Sequence, residues 1–409
     1  MALRLDPEQR FTCHSCGRCC RRWDVLVTAA ERDAYTTRGV TRWFRETGSG
    51  TEGTDRDPFE PVAGWRGYYR IRSRADGACG FLSSADRCRL HEELGATAKP
   101  LTCRMFPFRF HPGAGGATVT ASFGCPTIVA NRGEPLSERS LESLYQEHEA
   151  RPLLTPRELV RGRSIDARSI SIIRESLLRM LSRADGGVVD LRANVQRIAL
   201  ALDDLTRRRV LRLSDADFAE YLKLTLPYAA ASTSAAEPAR PGRIGRLMQF
   251  GFLYVVAATR YGIEHRSDSV WSKRIAGVRM LAHFHRLAPA MDRVNVGALK
   301  GRVDINAPDL QPVVYHYLRA SIEGLGARRR PLLDDLAIAV SCLNAACALA
   351  VMNAAARARP IDRESFSDAL MESVDVLQAD ERGLLGWALP RLAGGVEALK
   401  VVSAPTNHS

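Results

Sequence analysis

Four cysteines crowd into eight residues near the start of this chain, as Cys13-His14-Ser15-Cys16-Gly17-Arg18-Cys19-Cys20. Packing alone does not account for that density. Thiolates are soft donors suited to zinc or iron–sulfur chemistry. A two-residue spacer lets a tight turn aim successive sulfurs at one centre, and Gly17 accepts the backbone angles such a turn needs. Cys19 and Cys20 are neighbours, and in an extended backbone their side chains would point apart. On that reading they serve different sites, or different faces of one cluster. Cys79, Cys88, Cys103 and Cys125 follow downstream, so Cys13, Cys16, Cys19, Cys20, Cys79, Cys88, Cys103 and Cys125 are the candidate metal ligands. Eight thiols suffice for two four-thiolate sites, or for one cluster with supporting residues.

The alternative to chelation is a disulfide framework. The opening Met-Ala-Leu-Arg-Leu-Asp-Pro lacks the apolar core and small-residue cleavage pattern of a signal peptide, so the expected address is the cytoplasm, where thiols stay reduced. Vicinal cysteines also bridge only with strain. His91, three residues after Cys88, is open between ligand, hydrogen-bonding support and helix cap; His14 is expected to be exposed. Arg18, Arg21, Arg22 and Arg104 flank the cysteines and would offset the excess negative charge of a thiolate site. Cys342 and Cys347 lie five apart in an uncharged helical stretch and are expected to be buried, inert thiols.

Zinc sites usually pair two C-x2–4-C knuckles. One dense run followed by isolated cysteines is closer to iron–sulfur ligation, in which C-x2-C-x2-C is common. An iron–sulfur cluster is therefore preferred over Zn2+, with both kept open.

Of the 409 residues, 45% are hydrophobic and 25% charged, the balance of a folded protein of about two domains. The cysteine-rich part, residues 1–135, is turn-rich with short strands. Residues 136–409 are rich in Leu, Ala and Arg with helical periodicity, giving an α+β chain with a metal-binding N-terminal domain and an α-helical C-terminal domain. A linker is expected at 229–243. The spacing predicts helices over 29–46, 244–262, 270–288, 309–325, 332–357 and 363–378. Thr155-Pro156-Arg157-Glu158, Asp190 and Ser214 read as helix starts. Trp23–Val27 and 65–72 read as strands, 47–64 as a loop, and Phe106–His111 with Ala117–Phe123 as a hairpin. Leu336–Ala356 is long enough to span a membrane, but its Ala content and its Ser and Asn residues favour a buried bundle helix. A net charge of +12 comes with no dense basic run interleaved with aromatics, so nucleic acid is not an expected partner.

Several motifs together resemble the YkgJ-type cysteine-cluster family, a zinc- or iron-chelating domain. They are Phe11-Thr12-Cys13, Cys16-Gly17-x-Cys19-Cys20, Cys79-x-Phe81-Leu82, Cys88-x-Leu90-His91 and Lys99-Pro100-x-x-Cys103-Arg104-x-Phe106-Pro107. The resemblance covers about residues 11–126 and implies metal chelation. More loosely, the cysteine-rich start joined to a helical tail containing Val313-Val314-Tyr315-His316-Tyr317-Leu318-Arg319 is similar to flagellin lysine N-methylases. That implies an iron–sulfur cluster, S-adenosylmethionine and a protein substrate, although the methylase cysteine run is spaced differently. No catalytic residue transfers.

No P-loop, HExxH or G-x-S-x-G is present. Pro112–Gly116 and Asp185–Asp190 are Gly-rich, but one links two predicted strands and the other two predicted helices, the wrong context for a dinucleotide turn. A pocket is expected only where the helical part covers the cysteines. If ligation energy is also folding energy, Cys16→Ser and Cys103→Ser lose metal and loosen the N-terminal part, whereas Cys342→Ala leaves metal content unchanged, as metal analysis of anaerobically purified variants will show.

Overall fold

A computed structural model of the chain describes residues 2–46, 57–62, 65–74, 76–113, 116–149, 157–231, 303–326, 330–357 and 360–378. Short strands and short helices fill the first part, and long helices the later one, the α+β organisation expected from composition. The helices predicted over 244–262 and 270–288, and positions 232–243 of the predicted linker, lie outside the described residues. Its first three positions, 229–231, end the helix Asp215–Ala231 instead.

Two three-stranded sheets frame the cysteine-rich part. In one, Leu26–Thr28 and Phe59–Pro61 flank Tyr68–Ile71, all antiparallel. In the other, the hairpin Phe108–Gly113/Gly116–Ala121 is joined in parallel by Ala2–Arg4. A small apolar core of Val27, Tyr35, Val40, Trp43, Phe44, Phe59, Ile71, Phe81 and Leu90 lies under the first sheet. The helix predicted over 29–46 forms as two, Ala29–Thr37 and Thr41–Glu46. Arg38–Val40 turns between them, which lets Val40, Trp43 and Phe44 all reach that core. The loop predicted over 47–64 contributes the strand Phe59–Pro61, whose Phe59 is fully buried.

Burial also overrides a local signal at Thr155–Glu158. Thr155 and Pro156 lie outside the described residues, but Glu158–Val160 is a strand paired with Arg163–Ser164, not the start of a helix. Leu159 at its centre is completely buried. The next helix begins only at Asp166, whose side chain accepts from the Ser169 amide at 2.8 Å and caps Ala167–Ser182. The Asp190 and Ser214 starts form as predicted, opening Leu191–Leu205 and Asp215–Ala231.

Helices Gln311–Glu323, Leu332–Arg357 and Arg363–Gln378 complete the large core. Leu332–Arg357 is apolar on every side, and small Ala residues let neighbouring helices approach it closely. Its Leu332–Val351 portion is long and apolar enough to cross a membrane, yet 82% of its most apolar window is buried within the fold. Cys342 is fully buried there, its thiol 3.8 Å from the Ser373 carbonyl, as expected for an inert thiol.

Glu31 ties the first sheet to the segment that carries Cys103. One carboxylate oxygen accepts from the Thr28 amide at 2.8 Å in a capping box, and the other from the Leu101 amide at 2.7 Å, the first residue of the helix Leu101–Met105. Glu31→Ala orphans both amides. The expected cost is about 1–3 kcal/mol, read as faster amide exchange in residues 29–37 and 101–105 with little change in the long helices.

Candidate metal centre

The chain enters the cysteine run from a fixed position. Asn131 Oδ1 accepts from Gln9 Nε2 at 2.8 Å and from the Arg10 amide at 2.7 Å, and Arg10–Phe11 pairs with Glu134–Pro135. Cys13 and Cys16 then pass over the surface, both exposed. At Gly17 the backbone turns left-handed (φ 67°), and a Cβ there would stand 3.3 Å from the Asp86 carbonyl oxygen. The turn starts the short helix Arg18–Arg22.

That helix corrects one expectation. Cys19 and Cys20 lie on a helical turn rather than an extended backbone, and their sulfurs are 4.0 Å apart. Sulfurs that close suit the alternative of different faces of one cluster.

Backbone hydrogen bonds draw the other segments to this turn. The Cys79 amide donates to the Cys20 carbonyl at 2.7 Å. Cys79 and Cys88 stand at two bridges, Ser73–Cys79 and Leu82–Cys88, with Phe81 and Leu82 between them buried as anchors. Cys88 precedes the helix Arg89–Leu94. Cys103 sits in Leu101–Met105, held by Glu31 and by the Thr102 hydroxyl, which donates to the Leu26 carbonyl at 2.8 Å. Outside, Arg21 pairs with Asp86 and with Asp76 at 3.7 Å, clasping the loop around Cys79 and Cys88 to the first run, while Arg74 braces Asp76 within the loop at 2.6 Å.

The electrostatics show which thiols share one environment. Burial pushes the Cys103 thiol well up, and Cys79, Cys88 and Cys19 push it further. Cys79 is raised to about 12 by burial, with Cys88 and Cys19 adding to the effect. Burial likewise raises Cys88. In the vicinal pair, the hydrogen bond from Cys20 brings Cys19 down to about 6, while that same bond, burial and the Cys19, Cys79 and Cys103 thiols push Cys20 up. The pair thus holds one negative charge readily and resists a second. Lys99 lies among them: burial disfavours its charge, but Cys103, Cys88, Cys13 and Cys19 outweigh that and raise its pKa.

Cys19, Cys20, Cys79, Cys88 and Cys103 are therefore brought together around Lys99. Cys13 is exposed and is among the thiols that act on Lys99. Cys125 stands apart at the head of the helix Pro126–Val129, raised to about 11 by burial, with Cys16 the thiol that acts on it. His14 and His91 are both exposed. A chelator needs soft donors of which several can lose their protons to a metal, and the five gathered thiols fit that requirement.

The cysteine run also touches the helical part. The Arg18 guanidinium donates to Asp375 Oδ2 at 2.7 Å, and Asp375, in Arg363–Gln378, has a side chain only 4% exposed. Burial raises the Asp375 carboxyl, against the opposing pull of Arg18 and Arg22. No pattern in the sequence points to this pair, whose members are 357 positions apart.

A second group went unnoticed in the sequence. The ligand atoms of Asp6, Glu8 and His316 lie within 4.8 Å of one another, and among the described residues no three cysteine sulfurs close to that spacing. Arg319 already pairs with Asp6 at 3.3 Å and with Glu323 at 3.1 Å, so this group is an ion-pair clasp between the N-terminal strand and the helix Gln311–Glu323. Nearby, Arg109, His111, Thr120, Ser122, Tyr317 and Asp335 help to line a cavity of about 40 Å³ between the hairpin and the helices, room for roughly one water.

Comparison with known proteins agrees with the thiol geometry over the same residues. Residues 12–126 match the CxxCxxCC family, described as "Putative zinc- or iron-chelating domain". No curated protein and no solved structure matches the chain. The family match covers under a third of the length, and over that segment the chain is similar to a cysteine-cluster domain of this kind.

Proposed function

We propose that this protein binds metal through its N-terminal thiolates, holding an iron–sulfur cluster in preference to a zinc ion. The observation that carries the reading is the gathering of Cys19, Cys20, Cys79, Cys88 and Cys103 beside Lys99, with the Cys79 amide on the Cys20 carbonyl and the Cys19 and Cys20 sulfurs 4.0 Å apart. Without a metal Cys20, Cys79, Cys88 and Cys103 favour the neutral form, because burial and mutual repulsion oppose several negative charges in one small volume. A soft cation replaces the protons and removes the repulsion, and Lys99 offsets charge that remains.

Two features favour a cluster over a single zinc. The C-x2-C-x2-C spacing is common in iron–sulfur ligation. A tetrahedral zinc ion with Zn–S bonds of about 2.3 Å would draw its sulfurs to roughly 3.8 Å of one another, a spacing that Cys19 and Cys20 approach but that no three of the described cysteines reach together. Cys13, Cys16 and Cys125 take supporting or second-site roles in this reading.

The alternative is a cluster-dependent protein-modifying enzyme, such as a lysine N-methyltransferase acting on a protein substrate with S-adenosylmethionine. It rests on resemblance. In the Val313–Arg319 stretch behind it, Val313, Val314, Tyr317 and Leu318 are buried in the helical core, and His316 and Arg319 belong to the clasp on Asp6. Packing accounts for the pattern. Titration calorimetry of the metal-loaded chain with S-adenosylmethionine separates the two readings: measurable binding favours the enzyme, and none leaves the chelator.

Anaerobically purified protein should carry iron with sulfide, and a visible charge-transfer band, under the preferred reading. Zinc without colour would select the second metal, and a folded, metal-free protein would reject chelation. Cys79→Ser or Cys103→Ser should abolish stable metal binding, whereas Cys13→Ser, exposed and at the margin of the group, should lose only part of it.

A further inference from the structure

Asp375 lies 250 residues beyond Cys125 in the sequence, yet it stands between two cysteine-bearing segments. Its Oδ2 accepts from Arg18 Nη2 at 2.7 Å, and Arg18 is the residue between Gly17 and Cys19. Its Oδ1 faces Gly124, immediately before Cys125, where a Cβ would come within 2.6 Å of that oxygen. A side chain at position 124 would expel the carboxylate, so glycine is what allows the approach. One buried carboxylate thus takes hold of the Cys16–Cys19 turn with one oxygen and packs against the Cys125 segment with the other.

Arg18 is correspondingly constrained. Its side chain is 23% exposed, and its buried Nε makes no hydrogen bond within the fold. A guanidinium held in this way presents a spare donor beside the cysteine run, of the kind a thiolate can accept from. Breaking the pair leaves Asp375 as a buried charge without its principal partner, which the structure relieves by moving one side or the other.

We propose that Asp375 is a positioning residue for the cysteine site, fixing the Cys16–Cys19 turn against Cys125 through Arg18. The inference rests on the chelation reading above. Groups that orient metal ligands without touching the metal typically change affinity about 10–100-fold when removed.

The test is a timed chelator challenge of the full-length, anaerobically purified chain, with protein-bound iron and zinc counted by mass spectrometry. Asp375→Asn keeps the size of the side chain but loses the charge that holds Arg18. It should release metal about 10–100-fold faster than the unaltered chain. Arg18→Gln, made from the other side of the pair, should show the same acceleration and keeps the test available if Asp375→Asn does not fold. Phe366→Leu loosens the packing of the same helix without touching the pair, and should release metal at the unaltered rate.

A metal-release rate in either pair variant equal to that of the unaltered chain overturns the positioning role, as does equal acceleration by Phe366→Leu, which would mean general loosening rather than positioning. If the unaltered chain carries no iron or zinc, the chelation reading itself fails. That outcome is distinct from a loaded protein that ignores the loss of Asp375.

Discussion

Mutual repulsion among buried thiols is the constraint on which the cysteine-rich part turns. Cys20, Cys79, Cys88 and Cys103 pack in or against a small apolar core, with Cys19 beside Cys20, and burial raises Cys79, Cys88 and Cys103 while the Cys19–Cys20 pair keeps a single charge between them. Such a group is comfortable in two conditions: with one thiolate shared by Cys19 and Cys20, or bound to a cation. It cannot hold several bare thiolates, because a low-dielectric setting leaves nothing to screen them. Lys99 moderates the repulsion without removing it.

The surrounding structure reads as a frame for keeping those sulfurs together. The apolar core under the first sheet is small, and a core of that size leaves little margin to fix loop positions by burial alone. Directed polar contacts take over. Glu31 joins two helix starts, Cys20 accepts from Cys79 through the backbone, and the Arg21–Asp86 and Arg74–Asp76 pairs close the outside. Exposed pairs of this kind each contribute little. They orient loops, and ligation energy adds folding free energy to what they begin.

The helical part supplies the larger apolar core and reaches back to the N-terminal part through two ion-pair contacts, among others. At Asp6, His316 and Arg319 fasten the N-terminal strand, and at Arg18 a buried carboxylate meets the cysteine run itself. The small cavity at the junction of hairpin and helices fits a bridging water better than a cofactor. Both contacts join elements more than 300 positions apart in the sequence, so the helices and the cysteine-rich segment support one another.

Much of this was legible from the sequence because the signals were local. Helices Leu332–Arg357 and Arg363–Gln378 fall where their periodicity put them, Asp190 and Ser214 cap the helices they were expected to cap, and Cys342 is buried. The reading failed where burial overrode a local preference. Glu158–Val160 became a strand because Leu159 is needed in the core, the 29–46 helix broke to aim Trp43 and Phe44 inward, and Cys19-Cys20 coiled where an extended chain had been assumed. Residue types and spacing by themselves determined that the chain carries soft-metal donors in a cysteine-cluster domain. Only the tertiary structure decided that Cys19, Cys20, Cys79, Cys88 and Cys103 meet around Lys99 while Cys16 turns toward Cys125, and that Asp375 grips Arg18. Those juxtapositions depend on backbone hydrogen bonds and packing between distant segments, which no local pattern encodes.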